Sequence, residues 1–189
     1  MTVIQYARGD ATRPAGDGPK VIAHVCNDQG GWGRGFVLAL SRRWVAPEYA
    51  YRDWHRRGSL VGPVGDRSRQ RQLRVPAMRS EVAVEETGVF GLGQSQLVEV
   101  EFGCFVLNMV AQHGIFPGPG AAPPLRYDAL ALCLRHADAF CRRLGASLHA
   151  PRIGCGLAGG SWEHVGMLVE RLVSADVTVY DLPGGTMLG

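Results

Sequence analysis

Two rhythms of apolar and polar positions run through the 189-residue chain. The first belongs to strands. Residues 21–26, "VIAHVC", form a continuous apolar run of strand length, the pattern of a strand buried on both faces. Residues 2–7 and 177–182 ("VTVYDL") read as a first and a last strand. Residues 97–101 and 104–111 read as two strands around a Phe-Gly turn, and 147–150 as a short one. The second rhythm is helical. Over 126–144, Leu130, Leu134, Ala137 and Phe140/Cys141 recur at helical spacing, and Gly145 stops the helix. Residues 35–44, 47–57 and 161–174 read as further helices. Pro47 suits a first turn and Ser161 is placed to cap the last helix.

Two segments follow neither rhythm. Residues 58–94 include "GPVGDRSRQRQLRVPAMRS", polar and arginine-rich, expected as a surface excursion or flexible loop. "HGIFPGPGAAPP" (113–124) is too rich in proline and glycine for a helix or sheet interior. Elsewhere strands and helices alternate. The expectation is one α/β domain over 1–189, three layers deep, with a central mixed, largely parallel sheet. No repeat and no second domain is visible.

Composition narrows this picture only in places. Hydrophobic residues make up 46% and charged residues 20%, an ordinary globular balance. No apolar run approaches the roughly 20 residues of a membrane span, and the N-terminus has no signal-peptide pattern. Five cysteines without a CxxC pair argue against a disulfide framework or a zinc site and for reduced thiols, hence a cytoplasmic expectation. The formal charge of +3 is mild for a dedicated nucleic-acid binder. Lys20 is the only lysine, which limits the chemistry open to this chain.

"HVCNDQGGWGRGF" (24–36) places four glycines between a buried strand and a helix. Glycines there bring backbone N–H groups close to an anion, and the following helix adds its N-terminal dipole. In open α/β folds, ligands sit at that edge. "PRIGCGLAGGSW" (151–162) repeats the arrangement between the 147–150 strand and the 161–174 helix. Two such loops suit a nucleotide diphosphate held from both sides. Neither matches GxxxxGK[ST], so this is not a Walker-type NTPase.

These residues resemble the macrodomain, the ADP-ribose-binding fold. "GDAT" (9–12) resembles its Gly-Asp motif after the first strand, and "VIAHVCN" its second strand ending in asparagine. "GGWGRGF" and "PRIGCGLAGGSW" resemble its two ligand loops, and "VTVYDL" its closing strand. The branch most similar contains the terminal ADP-ribose protein glycohydrolase, the antitoxin macrodomains that clear ADP-ribose from DNA, and the fungal ADP-ribose-1″-phosphate phosphatase. The resemblance implies that Asp10 accepts a hydrogen bond from the adenine amino group, with the Ala11 amide at N1. It implies that Asn27 meets the distal ribose hydroxyls. Gly31, Trp32, Gly33, Arg34, Gly35 and Phe36 would wrap the distal ribose and a phosphate, Trp32 as a wall. Gly154, Cys155, Gly156, Leu157 and Ala158 would cradle the diphosphate opposite. His24 lies beside the first loop as a ligand contact or a core histidine. Tyr180 is a contact for adenine or the proximal ribose, or a core aromatic.

Hydrolysis is a separate question. The glycohydrolase of this branch uses a lysine at C1″ and an aspartate just after "GCGL"; here that position is Ala158, and Lys20 precedes the buried strand. His24, Asn27, Asp28 and His113 remain as residues able to orient or activate a water, Asp28 being the best carboxylate for a general base. The reading calls for no cofactor and no metal. Its partners are ADP-ribose or ADP-ribosylated protein or nucleic acid, not a membrane, and it expects a monomer. A short single-domain chain favours an enzyme, a hydrolase of ADP-ribosyl adducts or of ADP-ribose-1″-phosphate, over a reader; the missing lysine and aspartate favour a reader or an enzyme with a different mechanism. Nucleic-acid binding through arginines 67–79 is a third reading, and it predicts steep salt dependence.

Overall fold

The computed structural model describes residues 2–58, 69–116 and 121–182. Strands β1 (Ile4–Arg8) and β2 (Lys20–Asn27) come first, followed by helices α1 (Phe36–Arg43) and α2 (Ala46–Gly58). Four strands follow: β3 (Arg69–Arg74), β4 (Glu81–Glu86), β5 (Ser95–Glu101) and β6 (Cys104–Gln112). Helix α3 (Tyr127–Leu144), β7 (Ser147–Pro151), α4 (Trp162–Leu172) and β8 (Val177–Asp181) complete the chain.

The eight strands form one sheet in the order β1-β8-β7-β2-β6-β5-β4-β3. From β1 to β6 all neighbours are parallel, and from β6 to β3 all are antiparallel. The period of two explains why β2 is apolar throughout. Val21 and Ala23 pack under α3 and α4, while Ile22 and Cys26 pack under α1 and α2. Helices therefore cover both faces, in three α/β/α layers. Leu130, Leu134, Ala137, Phe140 and Cys141 of α3 are all buried, as their spacing predicts. Gly145 ends α3 at φ 61°, and its N–H bonds the last carbonyls. Ser161 precedes α4 but makes no side-chain cap, contrary to expectation; its N–H is donated to the Tyr127 hydroxyl instead.

The arginine-rich stretch departs most from the expected loop. Within 58–94, β3 and β4 are strands that extend the sheet antiparallel from β5. "RQRQLR" reads as polar because β3 is an edge strand, and its Arg71 is held by carboxylates. Arg71 donates to Asp53 (2.7 Å) and to the buried Glu86 (3.1 Å), and Arg57 of α2 donates to the same two carboxylates. Residues 59–68 lie outside the described residues, as do 117–120 of the proline-rich loop. Among the described residues no helix is long and apolar enough to cross a membrane.

Candidate functional site

Five parallel strands point their carboxyl ends at one edge, and the loops that follow them crowd there. The first glycine loop is shaped by side chains. The Asn27 amide donates to the Gly31 carbonyl (2.7 Å), and its oxygen accepts the N–H groups of Gln29 and Gly31 (3.0 Å each). Tyr51 donates its hydroxyl to the Asn27 carbonyl (2.6 Å), and Arg52 donates to the Gly30 carbonyl. The loop ends on Gly35, whose φ of 78° turns the chain into α1.

The second loop leaves β7 at Pro151. Its residues Gly154, Gly156, Leu157 and Ala158 face Arg34, Gly35, Phe36 and Val37 across a groove of about 190 Å³ that is also lined by His24, Gln112 and Arg152. The loops approach closely: a side-chain carbon added at Gly35 would lie 3.7 Å from Leu157 Cδ1. The groove thus brings the sequence-selected loop residues together around backbone amides and the start of α1, an environment suited to an anionic ligand.

Not every selected residue faces that groove with its side chain. Trp32 is only 4% exposed; its indole donates to Ser41 (2.8 Å) and packs on His24 and Tyr51. It supports the loop from below rather than forming a wall. His24 is 2% exposed and bonds Asn108 Oδ1 at 2.6 Å. Asn108 spends its amide protons on Pro47 and Gln96, so His24 Nε2 carries the proton. Burial lowers the His24 pKa to about 4, keeping the ring neutral. Gly33 borders open space. Cys155 is half-buried, and burial pushes its thiol up to about 11, away from nucleophilic reactivity.

Asp10 and Ala11 lie beyond the groove lining, after β1. Asp10 Oδ1 accepts the Thr12 N–H (2.9 Å), and Ala11 is buried. Tyr180 is buried in β8, its hydroxyl accepting the Ala15 N–H (3.0 Å) and meeting His149 (3.1 Å). A bridge joins this corner to the groove. Arg152 donates twice to Asp181 (2.7 and 2.9 Å) between the rings of Tyr6 and Trp162, and the Asp181 carbonyl accepts the Gly9 N–H.

Just beyond the groove-lining Gln112, Asp28 meets His113. The Nδ1–Oδ2 distance is 2.7 Å, and Asp28 Oδ1 accepts the Gly114 N–H at 2.8 Å. Phe116 lies against the Arg34 guanidinium. Lys20 is at the other end of β2. Seven residue steps at about 3.3 Å put it roughly 23 Å from Asn27, where its ammonium bonds the Gly18 carbonyl. Ala158 is buried and offers only its carbonyl, to Leu125.

Sequence reading missed three contributors. Tyr51 is one residue of an amphipathic helix, and nothing in its spacing marks it as the brace of Asn27. Arg152 was legible only as part of the second loop. The β4–β5 connection, "TGVFGLGQ" (87–94), is a further glycine-rich turn on the same edge, with Phe90 packed on Tyr51, Trp54 and His55. Its strand–glycine–strand pattern was the available signal.

Fold and site together define an α/β/α domain with a groove between two glycine loops. No family model matches the chain. A macrodomain protein from Streptomyces coelicolor is 42% identical with a TM-score of 0.71, the alignment covering 95% of this chain and 99% of that one. Mouse chromodomain-helicase-DNA-binding protein 1-like is 29% identical over 184 residues, 96% of this chain. The chain spans 17% of the length of that relative. A Trypanosoma brucei macrodomain solved in complex with ADP-ribose shares the fold at 15% identity and a TM-score of 0.55, covering 95% of this chain and 63% of that one. The chain belongs to the macrodomain family.

Proposed function

We propose that the groove binds ADP-ribose and that the protein cleaves an ADP-ribosyl linkage on protein or nucleic acid without a catalytic lysine. One observation carries the binding reading. The two glycine loops face each other at the carboxyl edge of the sheet, with the N-terminus of α1 between them. A diphosphate fits this arrangement because it is satisfied by N–H donors from both sides. The Asp10 corner, tied to the groove through Asp181 and Arg152, then receives the adenine. The ADP-ribose complex of the trypanosomal macrodomain supports the same reading. The resemblance of the loop motifs to the terminal glycohydrolase supports the reaction class, cleavage at C1″ of the distal ribose.

A reader without turnover is the second reading, favoured by a specific observation: Ala158 cannot move a proton and Lys20 stands at the far end of β2. The test is calorimetry with free ADP-ribose, in parallel with a panel of a glutamate-modified protein, ADP-ribosylated DNA and ADP-ribose-1″-phosphate. Binding plus turnover of a panel member supports a hydrolase, whereas binding alone supports the reader. Asp10→Ala is expected to abolish ADP-ribose binding, because a carboxylate opposite the adenine amino group is lost. Unchanged affinity would remove adenine recognition from Asp10.

A further inference from the structure

The two ends of the first glycine loop line different concavities. One is the groove, lined by Gln112 at the end of β6. The other is a cavity of about 410 Å³ lined by Asp28, His55, Gly58, Phe90, Gly91 and Leu92. Asp28 lines the second cavity, and its partner His113 is the chain neighbour of the groove-lining Gln112.

Of the residues able to activate a water, His113 is the most exposed. Asn27 uses its amide to brace the loop. Asp28 has one oxygen on the Gly114 N–H and the other on His113. Because a carboxylate accepts, His113 Nδ1 carries a proton, so in the neutral ring the lone pair is on Nε2. The His113 side chain is 59% exposed against 18% for Asp28. Among the described residues Nε2 has no partner. The backbone beneath it is fixed, since the His113 N–H is donated to the Pro124 carbonyl at 2.8 Å.

We infer that His113 is the general base of the lysine-free hydrolysis and that Asp28 positions it, an inference that rests on the groove being the ADP-ribose site. A water bonded to Nε2 attacks C1″. Its oxygen bonds C1″ as the bond from C1″ to the leaving group breaks, and that electron pair goes to the leaving group. The water proton passes to Nε2 and then to the leaving group. The products are ADP-ribose with a 1″-hydroxyl and the protonated leaving group. Asp28, chosen from sequence as the base, instead fixes the tautomer.

The test uses the full chain and the substrate panel above. His113→Ala is expected to lower kcat about 100-fold or more, with KM and ADP-ribose affinity within about twofold, and added imidazole should restore part of the rate. His113→Gln, which keeps a polar group beside Asp28, should show the same loss if folding of the alanine variant is in question. Asp28→Asn should lower kcat by about tenfold with no rescue by imidazole, because the base is present but mis-set. Retained kcat in His113→Ala overturns the inference. So does a kcat loss matched by an equal loss of ADP-ribose affinity, the mark of a loop-holding role. Wild-type protein that binds ADP-ribose yet turns over no panel member overturns it as well. Failure to bind free ADP-ribose is a different outcome, which sinks the groove reading itself.

Discussion

The two loops that face each other across the groove are held by different forces. The first hangs on polar side chains, with Asn27 at its centre and Tyr51 and Arg52 behind it. The second is held by its own backbone and by one leucine. Gly160 donates to the Gly154 carbonyl (2.8 Å), Gly159 to Gly156 (3.0 Å), and Leu125 donates to Ala158 while its side chain packs on Gly154 and Gly160. A loop braced by hydrogen bonds leaves open space for a ligand but depends on a few donors. The second loop depends on Leu125, against which a carbon added at Gly154 or Gly160 would collide.

The sharpest way to break this comparison is acid. His24 lies beneath the first loop against Trp32 and Phe36. The unfolded chain takes up its proton near 6.5, the folded one near 4. Its contribution is therefore full above pH 6.5 and is lost as pH falls toward 4, by up to about 3 kcal/mol. Urea denaturation at a series of pH values should show this slope in wild type and a shallower one in His24→Gln. Equal slopes would mean that the imidazole is not the sensitive group.

Gly160→Ala comes next. The added carbon would press on Leu125 and lie 2.8 Å from the Gly154 carbonyl oxygen. A cost of about 3 kcal/mol is expected by denaturant titration, together with weakened ADP-ribose binding. A neutral result would show that the second loop is looser than its packing implies. Asn27→Ala should cost about 2 kcal/mol by the same titration, because the N–H groups of Gln29 and Gly31 lose their shared acceptor in a partly buried loop. The smallest effect on stability belongs to Gly33→Glu. Nothing stands within 4 Å of a carbon added there, so the midpoint should not move. The carboxylate should nevertheless repel a diphosphate and weaken ADP-ribose binding about tenfold, or about 1.4 kcal/mol. Normal affinity in that variant would place the diphosphate elsewhere.

Much of this architecture was legible in the chain. The apolar run over 21–26 announced a strand buried on two faces, and the α3 periodicity selected its buried residues correctly. Glycines set between strand and helix marked both walls of the groove. The hairpin of β3 and β4 was not legible, because Arg71 looks solvated until Asp53 and Glu86 are brought to it. The family resemblance made Trp32 a wall; Ser41 and Tyr51 take it into the core instead.

What the sequence determined by itself was local: where the backbone needs glycine, where apolar periodicity demands a partner layer, and that one lysine was all the chain possessed. Which side chains remain free at the groove was decided only in three dimensions. Asp28 and His113 are 85 positions apart, joined because parallel pairing sets the ends of β2 and β6 side by side. Asn27 and Tyr51 meet because α2 packs over that same edge. A hydrogen bond spends a donor or acceptor at a particular distance, and distance across a sheet is invisible to any reading taken along the chain.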